Sequence, residues 1–323
     1  MSTNLLRIFL LVFVFTSCIA TSRNQRNLNE EVTTDNYTPD PELYYGSILT
    51  DSIATSLTDL PRTEDGSFVL SAGFYETEFK TYCLQPGTPD PSNRDAYYQS
   101  QYNGPRKDII ETILDNSSQR SSLDQKNVQL LLWSVVSKSD FNKLSPGARS
   151  VAYELLTPKQ LFELNGGVLG AIKTASKMIP VSDQQNDIIR VFESGIRSYE
   201  AIENLAVLRT PSNITRNDMV RDQWYRHPDG YFIRYLPQSY KKTTVQVYVP
   251  DSLMNNYKVD YLVFDPSGLV IHSANSNAQR LGVGGPVKDV VKSVIKILEQ
   301  NKRTPAPQYP KPPKPVKPQG PVS

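Results

Sequence analysis

The sequence predicts an α+β protein: N-terminal strands lead into a helical body, and a C-terminal antiparallel sheet with one covering helix follows. Three observations carry this. Residues 75–82 alternate Tyr75, Thr77, Phe79 and Thr81 with Glu76, Glu78, Lys80 and Tyr82, the period-two pattern of a strand with one wet face. Between 105 and 208 the apolar residues recur at helical spacing instead, as in Val128, Leu131, Leu132, Val135 and Val136. After Thr210-Pro211 the texture changes again, to β-branched and aromatic runs at 231–236, 244–249 and 259–264.

In chain order, residues 1–20 have the parts of an export signal. Arg7 supplies the positive start, 8–15 an apolar run too short to span a bilayer, and Thr16-Ser17-Cys18 a small-residue exit. Residues 21–65 are rich in Asn, Thr, Asp, Ser and Pro and read as a flexible tether. A mainly helical domain is expected over 66–209, opened by strands at 67–70 and 74–82. A loop at 85–105 follows, carrying Pro86-Gly87, Pro89-Asp90-Pro91 and Asn103-Gly104-Pro105 as turn signals.

Pro105 starts the first helix and Asn116 ends it. Ser122 and Gln125 make a capping box for the next, over 122–138. Helical segments are expected at 148–156, after Thr157-Pro158, and as one long element over 183–208. The C-terminal unit, 210–301, adds a turn at Asp265-Pro266-Ser267-Gly268 and a fourth strand at 269–272. Gly284-Gly285-Pro286 opens its covering helix, with Val287, Val290, Val291, Val294, Ile295 and Leu298 on one side. Residues 302–323 alternate Pro and Lys and form an extended tail.

Composition excludes some chemistry. A formal net charge of +2 offers no basic field for phosphates, so no nucleic-acid partner is expected. Two histidines, His227 and His272, cannot build a histidine-rich metal centre, and no metal or cofactor is expected. The chain has two cysteines. With Cys18 at the export signal, Cys83 is left without an intramolecular partner, and a disulfide cannot explain it.

Phe15-Thr16-Ser17-Cys18 resembles a bacterial lipobox, which implies lipidation of Cys18, attachment to a membrane through it and an exported, outer-membrane lipoprotein of the cell envelope; ordinary cleavage after Ala20 would instead give a secreted protein. Tyr82-Cys83-Leu84, followed by Val128-Gln129-Leu130-Leu131-Leu132-Trp133, resembles the thioester domains of bacterial surface adhesins over residues 68–138. In that family a cysteine after an aromatic residue condenses with a glutamine in a hydrophobic helix motif. The resemblance implies a reactive pair Cys83 and Gln129, supported by Tyr82 and Trp133, and a role in adhesion to a protein or glycan ligand on a surface. Tyr97, Tyr98 and Tyr102 in the long loop are candidate binding aromatics, apolar on the face and wet at the tip, or else fold back over the sheet. Two other readings stand beside this one. Cys83 could be the nucleophile of a secreted hydrolase with His227 or His272 as base, or a buried core residue of a structural envelope component.

Overall fold

The computed structural model describes residues 43–44, 53–92, 95–100, 102, 106–166, 183–195, 197–211, 224–257, 261–272, 277–289 and 293–295. The expected signal with Cys18 and the Pro/Lys tail lie outside the described residues.

The elements that matter for the site are β1 (Gly73–Cys83), β2 (Tyr97–Ser100), α1 (Lys107–Ser118), α2 (Gln125–Val136), α3 (Pro146–Leu155), α4 (Pro158–Leu164), α5 (Asp183–Glu193) and α6 (Tyr199–Ala206). After them come β3 (Phe232–Ser239), β4 (Lys242–Val249), β5 (Gly268–His272) and β6 (Leu281–Pro286). The class is α+β, as the sequence predicts, but the strands combine differently. β3 pairs β4, β4 pairs β1, β1 pairs β6, β6 pairs β5 and β5 pairs β2, all antiparallel. A bridge between Tyr235 and Tyr97 returns β2 to β3 and closes the ring. Closure removes the open edges that a free sheet would expose.

The boundary expected at residue 210 therefore does not divide the sheet. β1 and β2, from the first half, lie between strands of the second, and β1 pairs β4 over eight registered positions from Gly73↔Val249 to Lys80↔Lys242. The expected tether also enters the fold. Arg62–Thr63 and Phe68–Leu70 form a second small sheet with Leu262–Phe264 and Val294–Ile295. Arg62 is clamped there by Asp289 at 2.6 Å, both side chains nearly fully buried, with its guanidinium over the Phe68 ring at 4.5 Å. Val294–Ile295 is extended where the covering helix was expected, because its backbone pairs with Arg62–Thr63.

The start of that expected helix is β6, and its glycines have a packing reason. A Cβ on Gly282 would lie 2.7 Å from Leu114 Cδ1, and one on Gly285 2.5 Å from the Ser118 carbonyl oxygen. The strand is bare so that α1 can lie directly on it.

α2 is the central helix. Every residue from Val128 to Val136 is buried, so the apolar stripe seen in sequence wraps all the way round. Its N-cap is Asp124, whose carboxylate accepts from the N–H groups of Lys126 and Asn127; the Ser122–Gln125 capping box does not form, because the Gln125 side chain is used elsewhere. A capping box does open α4, between Thr157 and Gln160. The single helix expected over 183–208 is two, α5 and α6. Gly195 at φ +80° ends the first turn sequence, and Ser198 caps the second by accepting from the Ala201 N–H.

The close approach at β6 sets one expectation. Gly285→Ala should destabilise the fold by about 1–3 kcal/mol, since backbone rather than a movable side chain blocks the new methyl. The measurement is the urea midpoint, with an unchanged m-value.

Candidate functional site

The site begins where a strand ladder stops. The last registered pair between β1 and β4 is Lys80↔Lys242; one residue on, the Thr81 N–H donates to the Lys241 carbonyl at 2.9 Å and the β3–β4 hairpin turns away. On its other side β1 continues along β6, with Cys83 opposite Leu281 and the Leu84 N–H donating to Arg280. Alternation along a strand makes the backbone groups of Cys83 face the other way, toward the edge that β4 has left.

α2 fills this gap with two glutamines. The Gln125 Nε2 donates to the carbonyls of Thr81 at 3.0 Å and Lys241 at 2.8 Å. One turn later, Gln129 Oε1 accepts from the Cys83 N–H at 2.8 Å while its Nε2 donates to the Cys83 carbonyl at 2.9 Å. The match is metrical: four helical residues rise about 6 Å, and two strand residues advance about 6.6 Å. A helix running beside a strand can therefore present residues i and i+4 to strand residues i and i+2. The donors and acceptors also fix the amide's orientation, because the Cys83 N–H must meet an oxygen and its carbonyl an N–H. Two bonds to one residue hold the Gln129 amide alongside the backbone of Cys83.

Cys83 is fully buried and Gln129 1% exposed. Burial pushes the Cys83 thiol up to about 12; the Trp133 indole N–H and the Gln85 backbone N–H beside the sulfur pull the other way, and the Asp90 charge adds to the rise. The thiol is thus protonated at neutral pH. Trp133 Nε1 makes no hydrogen bond of regular geometry to any described group, although it is close enough to the thiol to favour the anion.

Beyond Trp133 lies a polar layer. Its indole stacks on Tyr199 at 5.7 Å and tilts against Tyr240 at 6.3 Å. The two tyrosine hydroxyls are 2.6 Å apart, and that of Tyr240 also donates to Glu203. Lys241 Nζ sits 2.9 Å from Glu203, with Arg209 at 3.3 Å from the same oxygen. Burial raises the Glu203 carboxyl, but the bonds from Tyr240 and Lys241 and the Arg209 charge outweigh it and hold Glu203 below its ordinary range.

Of the residues singled out in sequence, Cys83, Gln129 and Trp133 come together. Tyr82 does not join them: on the opposite face of β1 it packs toward Ser117 and against Gly284, under α1. Tyr97 and Tyr98, 3% and 1% exposed, are core residues of β2, and Tyr102 is partly buried against the core. They cover the sheet and present no exposed aromatic platform. His227 stacks on Tyr231 at 4.3 Å and lies 3.4 Å from Asp229, while His272 pairs in register with Tyr97. His227 is not among the groups around the thiol. The residues missed in sequence are Gln125, Tyr199, Glu203, Tyr240 and Lys241. Gln125 had a signal, a second glutamine at i−4 in a helix otherwise apolar past its first turn. The others meet only through the fold.

No protein-family model, curated protein or solved structure matches this chain.

Replacing Gln129 by Ala leaves two buried backbone groups of Cys83 without partners. This should lower stability by roughly 2–6 kcal/mol. Gln125→Ala should have the smaller effect, since that side chain is only half-buried and water can replace it. Paired urea titrations of the two variants check the order.

Proposed function

We propose that this protein is an envelope-displayed adhesion or ligand-binding protein in which Cys83 and Gln129 condense to an internal thioester. The observation that carries the reading is the buried clamp of the Gln129 amide on the backbone of Cys83. In the reaction Sγ attacks the amide carbon, the C–N bond breaks, and the amide nitrogen leaves as ammonia carrying the thiol proton. The Cys83 N–H, already bonded to Oε1, polarises the carbonyl as its oxygen gains charge. Fixing both groups makes the attack intramolecular, which raises its effective concentration by orders of magnitude.

The environment has two opposed effects. A thiol at about 12 is a poor nucleophile at neutral pH, so condensation is slow. The same exclusion of water protects the thioester once it exists. An amine, such as a lysine of a surface ligand, would then attack the carbonyl, form an amide to the Gln129 carbon and release the Cys83 thiolate. The N–H groups of Trp133 and Gln85 favour that anion as it leaves. The tyrosine layer over Trp133 is the barrier such an amine must pass. Lipidation of Cys18 would hold the protein at the membrane and present this site outward.

A second reading has its own support. Gln125 closes the same ladder one turn earlier with no thiol beside it, so Gln129 could serve as an edge cap alone and Cys83 as core. Intact mass separates the two. The thioester reading expects the mature protein to be lighter than its sequence by one ammonia, with Cys83→Ala at full mass, and methylamine adding one molecule of itself to the wild type and none to the variant. If wild type and variant both have their sequence masses and Cys83 alkylates only on unfolding, the edge cap is the whole role of Gln129.

A further inference from the structure

A centre sealed as tightly as Cys83 and Gln129 must open before another molecule can reach it. The cover is layered. Against the thiol lies Trp133, which has no solvent exposure; outside it come Tyr199 and Tyr240, 7% and 1% exposed. Outside these are the ammonium groups of Lys126 and Lys241, on half-exposed side chains.

The two tyrosines are held very differently. Tyr240 lies in the β3–β4 hairpin, and its own N–H donates to the Asp90 carboxylate at 2.8 Å. The carbonyl of the next residue, Lys241, accepts from the Thr81 N–H at 2.9 Å and from Gln125 at 2.8 Å. Moving the Tyr240 ring would pull the hairpin off both β1 and α2. Tyr199 is instead the first residue of α6, where the N–H groups lie beyond intrahelical bonding. It is held through its side chain. The hydroxyl meets that of Tyr240 at 2.6 Å, and the ring stacks on Trp133 with Lys126 Nζ 5.1 Å from its centre. Lys126 pairs with Glu200 at 2.9 Å, but both side chains are more than half exposed, and such pairs contribute little.

The bond between the hydroxyls has a definite direction. Tyr240 commits its single proton to Glu203, so toward Tyr199 it can only accept, and Tyr199 donates. That bond ties the start of the helix to the hairpin. The rest of α6 is anchored separately: Ile202 and Ala206 are fully buried, and the Ala206 carbonyl accepts from the Gly87 N–H at 2.8 Å. Ahead of the helix the chain passes Gly195, where an added Cβ would meet nothing within 4 Å. The first turn of α6 can therefore come away while the remainder stays docked, because helix ends fray and local opening costs less than unfolding.

We propose that Tyr199 is the gate to the Cys83–Gln129 centre, with its hydroxyl bond to Tyr240 as the latch. When the latch opens, Tyr199 swings out with the first turn of α6. The Trp133 indole, whose Nε1 has no regular hydrogen bond to hold it, then turns into the vacated space. Tyr240 and Glu203 stay in place as the frame. The role rests on the thioester reading, which needs a route for an amine; the opening itself can be measured whether or not the thioester forms.

The test compares the full-length wild type with Tyr199→Phe, Tyr199→Ala and Gly285→Ala. Each protein is incubated with methylamine until its mass is constant, which leaves the Cys83 thiol free under either reading. Alkylation by iodoacetamide is then followed on the peptide that carries Cys83. Tyr199→Phe keeps the stack and loses the latch, and should react roughly two- to tenfold faster than wild type. Tyr199→Ala removes the gate and should gain about tenfold or more; should it fail to fold, Tyr199→Phe still decides. Gly285→Ala, strained at a remote contact, should keep the wild-type rate, since the gate opens without global unfolding. Wild-type rates in the Tyr199 variants, or equal acceleration in Gly285→Ala, overturn the proposal. Methylamine uptake by the untreated proteins should follow the same order. Slower uptake by Tyr199→Phe would make its hydroxyl part of the chemistry and also overturns the gate. A wild type at its full sequence mass removes the thioester reading, and the alkylation order alone then decides whether Tyr199 opens.

Discussion

The structure turns on a strand that outlasts its partner. β1 is eleven residues long and β4 accompanies it only to Lys80, so the last residues of β1 reach the core with one edge unpaired. Buried backbone groups must find partners, and here no further strand supplies them. α2 does, through Gln125 and Gln129, and this requirement explains several features together. It explains why two glutamines stand one turn apart in a helix buried continuously from Val128 to Val136. It explains why the helix runs alongside β1 instead of across it, and why Asp124 rather than the Ser122–Gln125 pair caps its start.

The same constraint would supply the geometry of the proposed thioester chemistry. An amide that mimics a neighbouring strand must present an oxygen to an N–H and an N–H to a carbonyl. When the residue being capped is a cysteine, that geometry sets the amide carbon beside the thiol's own backbone. Gln129 clamps both backbone groups of Cys83, whereas Gln125 only donates, to the carbonyls of Thr81 and Lys241. In the proposed reaction, reactivity would rest on the cysteine that Gln129 caps.

The periodic signals of β1 and α2 were sound, the Ser122–Gln125 box and the single helix over 183–208 were not, and the long-range pairings were not available. Alternation from Tyr75 to Tyr82 marked β1, and the spacing of Val128, Leu131, Leu132 and Val135 marked α2, because each pattern depends on near neighbours. The division at residue 210 failed for the opposite reason: the pairing of Gly73 with Val249 leaves no trace in the composition of either segment. The closing valines misled because Val287, Val290, Val291 and Val294 fit a helical period, whereas Val294–Ile295 is held extended by Arg62–Thr63, far away in the chain. Arg62 looked like part of a polar tether because its burial depends on Asp289. At the site, Cys83 and Gln129 were readable as a motif, but the Tyr199–Tyr240–Glu203 layer was not, since three ordinary residues from two distant segments acquire meaning only in contact.

That layer bears on how a buried centre could be both protected and usable. Cys83 has no solvent exposure, and the indole of Trp133 separates it from the tyrosines. The tyrosines are held by Glu203, and Glu203 by Lys241 and Arg209, so the cover is fastened by hydrogen bonds and charge as well as by apolar packing. Charged fastenings at a partly wet boundary respond to a competing cation in a way that a purely apolar plug would not. Lys241 already lies 5.6 Å from the Tyr199 ring centre and 5.3 Å from that of Tyr240, with its ammonium on Glu203. An incoming amine would meet the same aromatic faces and the same carboxylate that Lys241 occupies. In the proposed thioester reaction the attacking amine would be of the same chemical type as the Lys241 ammonium that fastens this layer.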